Sequence, residues 1–134
     1  MSFSFTNIPD VRYNYDKLGL EFSRFYYKAF DDDFPELLNI YVDKPCITFR
    51  DEKFGSFDEL YRRLRNDGIW SFTHHSINGN AQPIDHDSIL ITTNGTMSAN
   101  KNFAKHRFQE TILLCRNRNN NRFYIHNSIF QIMD

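Results

Sequence analysis

The spacing of apolar residues changes period part-way along the chain. Leu18, Phe22, Phe25, Tyr26, Ala29 and Phe30 recur at three- and four-residue steps, which predicts an amphipathic helix of about four turns beginning near Tyr15. The acidic run Asp31-Asp32-Asp33 ends it. Phe34-Pro35 opens a short second helix, with proline in the first turn where its missing donor is not needed. Leu37, Leu38, Ile40 and Tyr41 read as the buried side of that helix. Cys46-Ile47-Thr48-Phe49 reads as a strand that turns back through Lys53-Phe54-Gly55. Ser56 and Glu59 have the spacing of a capping box, each side chain reaching the other's backbone N–H. The third helix carries Phe57, Leu60, Tyr61 and Leu64 and ends near Asn66-Asp67-Gly68.

From Trp70 the period falls to two. Trp70, Phe72 and His74 alternate with Ser71, Thr73 and His75, and further strand patterns run from Ser88 to Thr93, Phe108 to Leu114 and Arg122 to Phe130. Such β-branched and aromatic runs favour strands. Asn100-Lys101-Asn102 and the stretch from Asn117 to Asn121 supply the turns between them. Asn78-Gly79 and Asn94-Gly95 also have the composition of hairpin turns. Taken as turns they leave strands too short to pair, so both are read as parts of strands. Helices leading into a meander define an α+β fold, with three helices on one face of an antiparallel sheet.

A chain of 134 residues supports one core, read as a domain over 15–134 behind an extension over 1–14 that is frayed at its start. Fourteen Phe and seven Tyr suit a curved sheet that needs bulky filling, or an aromatic surface for a partner. A net charge of −1 gives no basis for a phosphate-backbone binder. No apolar run reaches membrane-spanning length, and the first residues lack the pattern of a signal peptide. Cys46 and Cys115 are too few for a disulfide framework and are expected as buried thiols of an intracellular protein.

Candidate chemistry is sparse. His74 and His75, with Asp85, His86 and Asp87, have metal-binding side chains, but neighbours on a strand point to opposite faces, so no metal is expected. Asp31-Asp32-Asp33 lacks the glycine and distal glutamate of a calcium loop. Arg62, Arg63 and Arg65 read as the wet face of a helix, and Arg116, Arg118 and Arg122 as a basic hairpin tip open to RNA or an acidic partner. No nucleophile motif or phosphate loop occurs. For acid–base chemistry the available groups are Tyr26, Tyr41, His75 and His126. An enzyme of this shape would bring Tyr26, Tyr41 and His75 together with a carboxylate.

Gly19 to Phe30 resembles the first helix of the nuclear transport factor 2 family. Leu38 to Tyr41, Cys46 to Phe49, Phe54 to Ser56, His75 to Ile77, Gln82-Pro83, Asp87-Ser88, and Phe108 through Leu113-Leu114 and Tyr124 to His126–Phe130 follow in the family's order. The resemblance spans about residues 15–132. It implies a cone of three helices against a strongly bent sheet, dimerising through the sheet's open face. It also implies binding to phenylalanine-glycine nucleoporin repeats, no catalysis and no cofactor, and a location in the nucleus, nuclear pore and cytoplasm.

The family's repeat-binding aromatic ahead of the first helix falls on Tyr15, in place of tryptophan. Phe108, Tyr124 and Phe130 are expected as further partner-facing aromatics. The family's surface for the GDP form of the GTPase Ran falls on Phe49, Arg50, Asn100 and Asn102. Arg50 stands where a glutamate pairs with a lysine of Ran, and the two asparagines replace acids. Like charges facing across an interface cost several kcal/mol, so Ran carriage is not expected. The reading therefore leans to the family's small partner subunit of the mRNA export receptor, although Gln131 replaces an arginine that helps pair those chains. The alternatives are a divergent homodimer importing Ran-GDP, a stress-granule-type interaction domain, and a cone-fold dehydratase or isomerase.

Overall fold

The computed structural model describes residues 3–4 and 10–134. The fraying expected at the start falls mostly on residues outside these. Val11 lies in a single 3-10 turn, Val11–Tyr13, and is fully buried, with its N–H donated to the His86 carbonyl.

Helix α1, Tyr15–Asp32, buries Leu18, Phe22, Tyr26, Tyr27 and Phe30 along one stripe. The next helical segment, Phe34–Asn39, is 3-10 rather than α. With three residues per turn, Phe34, Leu37 and Ile40 fall on one face. All three are buried, whereas Leu38, expected inside, is 55 % exposed. Tyr41 leaves the helix altogether and starts strand β2, Tyr41–Phe49. Helix α2, Phe57–Asn66, is capped by Ser56, whose Oγ accepts from the Glu59 N–H. The return arm differs from expectation: Glu59 accepts from the Gly55 N–H, not from Ser56.

Strands β3 (Glu52–Phe54), β4 (Phe72–Asp85), β5 (Ser88–Ala99), β6 (His106–Asn117) and β7 (Arg122–Ile132) complete a sheet ordered β3-β2-β7-β6-β5-β4. A two-residue strand β1, Phe3–Ser4, pairs with β7. The sheet is mixed, not wholly antiparallel, because β2 runs parallel to β7. β2 and β7 lie far apart in the sequence and no hairpin joins them, so nothing forces the pair to run antiparallel. Trp70 lies ahead of β4 and is 60 % exposed.

Both Asn-Gly pairs lie mid-strand, with Asn78 opposite Asn94. Gly95 is needed at a close approach. β4 bulges between His74 and Ser76, and a Cβ at Gly95 would fall 1.8 Å from the Ser76 carbonyl oxygen. The bulge strengthens local twist and bends the strand. A register shift opposite Leu113-Leu114 is a further irregularity, leaving His126 as the extra residue of β7.

Alternation then divides the sheet. Phe108, Glu110, Ile112, Leu114 and Arg116 of β6 point inward, as do Phe123, Ile125, Ser128 and Phe130 of β7. Phe22, Tyr26, Tyr27, Phe30, Phe34 and Phe57 meet them from the helical side, and Phe72 joins them from the start of β4. The outer face was expected to be rich in Phe and Tyr. It instead carries Thr, Asn and Gln, including Thr92, Asn94, Gln109, Thr111 and Gln131, around the half-buried pair Leu90 and Leu113 and the 47 % exposed Ile129. The buried phenylalanines fill the cone.

Candidate functional site

At the middle of that filling is a carboxylate. Glu110 is only 2 % exposed. Tyr27 donates to its Oε1 at 2.7 Å and Tyr26 to its Oε2 at 3.0 Å. The Tyr27 hydroxyl also meets Thr93 Oγ1. Tyr41 extends the cluster, 3.4 Å from the Tyr26 hydroxyl and 3.3 Å from Ser128 Oγ. Burial penalises the ionised form and pushes the Glu110 carboxyl up to about 7, although both tyrosine hydrogen bonds pull the other way. Burial also raises all three tyrosines, helped by the charge of Glu110.

Beside it, His74 Nδ1 lies 2.6 Å from Asp31 Oδ1, and its backbone N–H donates to Asp31 Oδ2 at 2.9 Å. The ring is packed at 4.6 Å from Tyr27 and 5.2 Å from Phe108, and Nε2 has no partner among the described residues. His75 faces the opposite side, with Nε2 2.9 Å from Ser98 Oγ. Tyr26 and Tyr41 thus converge on a carboxylate and His75 does not. Glu110 was legible as the one acid in the inward file Phe108-x-Glu110-x-Ile112, but only once the face of β6 was assigned. The cluster holds protons and fixes hydroxyls, and Glu110 itself is closed off from solvent. A pocket of 770 Å³ lined by Leu38, Tyr41, Phe57, Arg122 and Tyr124 reaches Tyr41 but not Glu110.

The positions taken over from the family divide in the same way. Phe108 and Phe130, expected to face a partner, are each 1 % exposed and stack inside the cone at 5.8 Å. They sit at inward positions of their strands, so a partner cannot reach them. Phe49 stacks on Phe130 at 4.5 Å and closes the same column. Tyr15 is half-buried at the start of α1, and Tyr124 is half-buried on β7. Arg50 is exposed in the β2–β3 turn, its N–H donated to the Phe130 carbonyl.

Asn100 serves the fold. Its Oδ1 accepts from the Trp70 and Ser71 N–H groups at 2.7 and 3.3 Å, and its Nδ2 donates to the Gly68 carbonyl at 2.7 Å. Asn102 closes its own loop through the Ala104 N–H.

The remaining candidates are similarly engaged. Asp87 binds Arg116 at 2.9 Å and Arg118 at 2.7 Å, so two of the three arginines of the hairpin tip share one carboxylate. The Arg118 hydrogen bond, then Arg116, hold the Asp87 carboxyl below its usual range. Asp85 caps Ser88 and Asp32 pairs with Lys28. Arg62 pairs with Asp58, and Arg63 with Glu52 and Asp67. His126 is half-buried at the bulge. Cys46 is exposed and Cys115 half-buried, because both fall on outward strand positions; neither is the buried thiol expected.

A bent sheet closed on one face by helices, with its other face uncovered, is the architecture of a cone-shaped α+β domain. The model of the nuclear transport factor 2 domain matches residues 18–132, and the chain belongs to that family. It is 24 % identical over 120 residues to nuclear transport factor 2 of Candida glabrata, covering 89 % of this chain and 94 % of that one. Against the Saccharomyces cerevisiae protein of the same name the identity is 23 %, with the same coverage. Among solved structures, nuclear transport factor 2 of Cryptosporidium parvum superposes with a TM-score of 0.77 at 17 % identity, covering 95 % of this chain and 98 % of that one. The yeast UBP3-associated protein BRE5 superposes at 0.66 with 22 % identity, covering 86 % and 93 %. These structural likenesses concern the fold.

Proposed function

We propose that the chain is a non-enzymatic nucleocytoplasmic transport factor that dimerises through the outer face of its sheet and binds phenylalanine-glycine repeats. The observation that carries this reading is that outer face: long strands with no helix over them and Leu90, Leu113 and Ile129 grouped on it. Apolar residues inside a polar surround suit an interface between chains. Tyr15 and Tyr124 are half-buried rather than enclosed, and this reading assigns repeat binding to them. The family relatives named above are nuclear transport factors, which supports a place at the nuclear pore, in the nucleus and in the cytoplasm.

Ran-GDP is not its cargo in this reading. Arg50 meets a lysine with like charge, and the Asn100 and Asn102 side chains are occupied within the protein. Without that cargo, the small partner of an mRNA export receptor is favoured over a Ran importer. The tyrosine–glutamate cluster is structural, since its carboxylate is enclosed and both oxygens are bound.

Light scattering of the purified chain, with and without an export receptor's matching domain, tests the pairing. A phenylalanine-glycine repeat peptide titrated into the resulting dimer tests the binding. Dimerisation and weak saturable repeat binding, lost in Tyr15→Ala, are expected, with no Ran-GDP retained. Retention of Ran-GDP overturns the cargo argument, and a monomer indifferent to the repeats overturns the reading as a whole.

A further inference from the structure

One end of the sheet has a surface chemistry of its own. From Asn100 to Arg107 the chain reads Asn-Lys-Asn-Phe-Ala-Lys-His-Arg, with three cations and no acid. Phe103, between Lys101 and Lys105, is 99 % exposed. A phenylalanine wholly in water contributes nothing to the core, and with the exposed Trp70 it gives this end two large aromatic side chains in solvent.

The loop is anchored at both ends. Asn100 ties it to residues 68–71 as described above, and Asp134 receives the Arg107 N–H at 3.0 Å and lies 2.7 Å from His106 Nδ1. The first anchor sets the loop beside Trp70. Arg65 covers one side of the Trp70 ring at 4.3 Å and is itself held by the Tyr61 ring at 4.9 Å and by the Tyr61 hydroxyl. Trp70 is thereby fixed, yet it keeps 60 % of its surface in solvent.

Charge then selects the partner. Glu52 and Asp67 are taken by Arg63, and Asp134 by His106 and Arg107. Lys101, Lys105 and, across the same end, Arg50 have no carboxylate within salt-bridge distance among the described residues. Asp51 beside Arg50 offsets part of this charge, and the surplus lies on Lys101 and Lys105, on a chain whose net charge is −1.

We propose that the β5–β6 loop, with Trp70 and Arg50, docks an acidic polypeptide segment bearing a bulky apolar residue. Its carboxylates face Lys101, Lys105 and Arg50, and its apolar side chain lies between Phe103 and Trp70. A single nucleic-acid strand fits less well, because it needs a cationic groove with successive stacking platforms, and here the cations stop at one end. The inference does not depend on dimerisation or on binding to phenylalanine-glycine repeats.

Trp70 is the only tryptophan of the chain, so its fluorescence reports on this site directly. The probe is a synthetic peptide of alternating aspartate and glutamate with one central leucine. A saturable change in emission, weakened by added salt, is expected. The Lys101→Glu/Lys105→Glu variant should bind about tenfold or more weakly, since like charges then face each other. Phe103→Ser should lose less. These residues are exposed, and circular dichroism checks that the fold is kept. The proposal is overturned by the absence of a saturable response, by equal binding of the charge-reversed variant, or by tighter binding of oligouridylate or phosphatidylserine vesicles than of the peptide.

Discussion

The two faces of strand β6 are built from the same residues of backbone and have opposite logic. Inward, Phe108, Glu110, Ile112, Leu114 and Arg116 are all buried, and the two charged groups among them each have named partners. Outward, Gln109 is exposed and Thr111, Leu113 and Cys115 are only half-buried. The inner face is determined by the fold itself, because a polar atom enclosed there is costly unless it is bonded. The outer face is free of that demand, and its composition is therefore the better record of what the protein meets. Aromatic abundance belongs to the first kind of constraint. Most of the phenylalanines close the cone and say little about nucleoporins.

The sharpest way to break this contrast is to empty the inner face. Phe108→Ala should destabilise the fold by about 3–5 kcal/mol, read as a lowered midpoint of denaturant unfolding. A partner-facing phenylalanine would instead leave stability nearly unchanged.

Glu110 gives the next largest effect, and its sign is fixed by its environment. The folded carboxyl titrates at about 7 against 4.5 for the free group. Between those values the native state keeps a proton that the unfolded chain has lost, so stability falls as pH rises. The contribution is fully present below about 4.5 and is lost through about 7, a change of about 3 kcal/mol. Glu110→Gln should remove that slope and be the more stable protein at alkaline pH, as measured by unfolding across the pH range. An unchanged slope would place the titrating group elsewhere.

Asn100→Ala removes three hydrogen bonds from a residue at φ 55° and should cost about 1–2 kcal/mol. The same change at Asn102, with its single loop bond, should cost about 0.5 kcal/mol. Thermal melts of the two variants side by side separate a clamp from a surface residue. On the outer face, Leu113→Arg should alter monomer stability by no more than about 0.5 kcal/mol while abolishing dimerisation in light scattering, with itself or with an export receptor's matching domain. A large loss of monomer stability would show that the outer leucines belong to the core.

Much of the fold was legible in the residues. The period of α1, the Ser56 cap and the Asn100 turn have local causes, and each is found where the pattern puts it. In the short segment after Asp33 the 3-10 and α periods diverge within six residues, which moves Leu38 from inside to outside. The parallel pairing of β2 with β7 depends on where a distant strand lands, which no local pattern encodes. The site was less legible for a related reason. Alternation shows that Phe108 and Phe130 share a face but not which face, and that one binary choice exchanges core for partner surface. Glu110 follows the same choice: outside it is an ordinary acid, inside it is the hub of the tyrosine cluster.

The facing Asn-Gly pairs carry a further consequence, for the protein's lifetime. Asparagine before glycine is prone to spontaneous deamidation, because the unhindered glycine nitrogen can close onto the side-chain amide as a cyclic imide. That closure requires the backbone to leave the extended conformation. Asn78 and Asn94 are held extended against each other in the β4–β5 ladder, so chemical ageing at both positions is gated by local opening of this hairpin. Peptide mapping of stored protein should find them intact while the ladder is closed, and modified together once it opens.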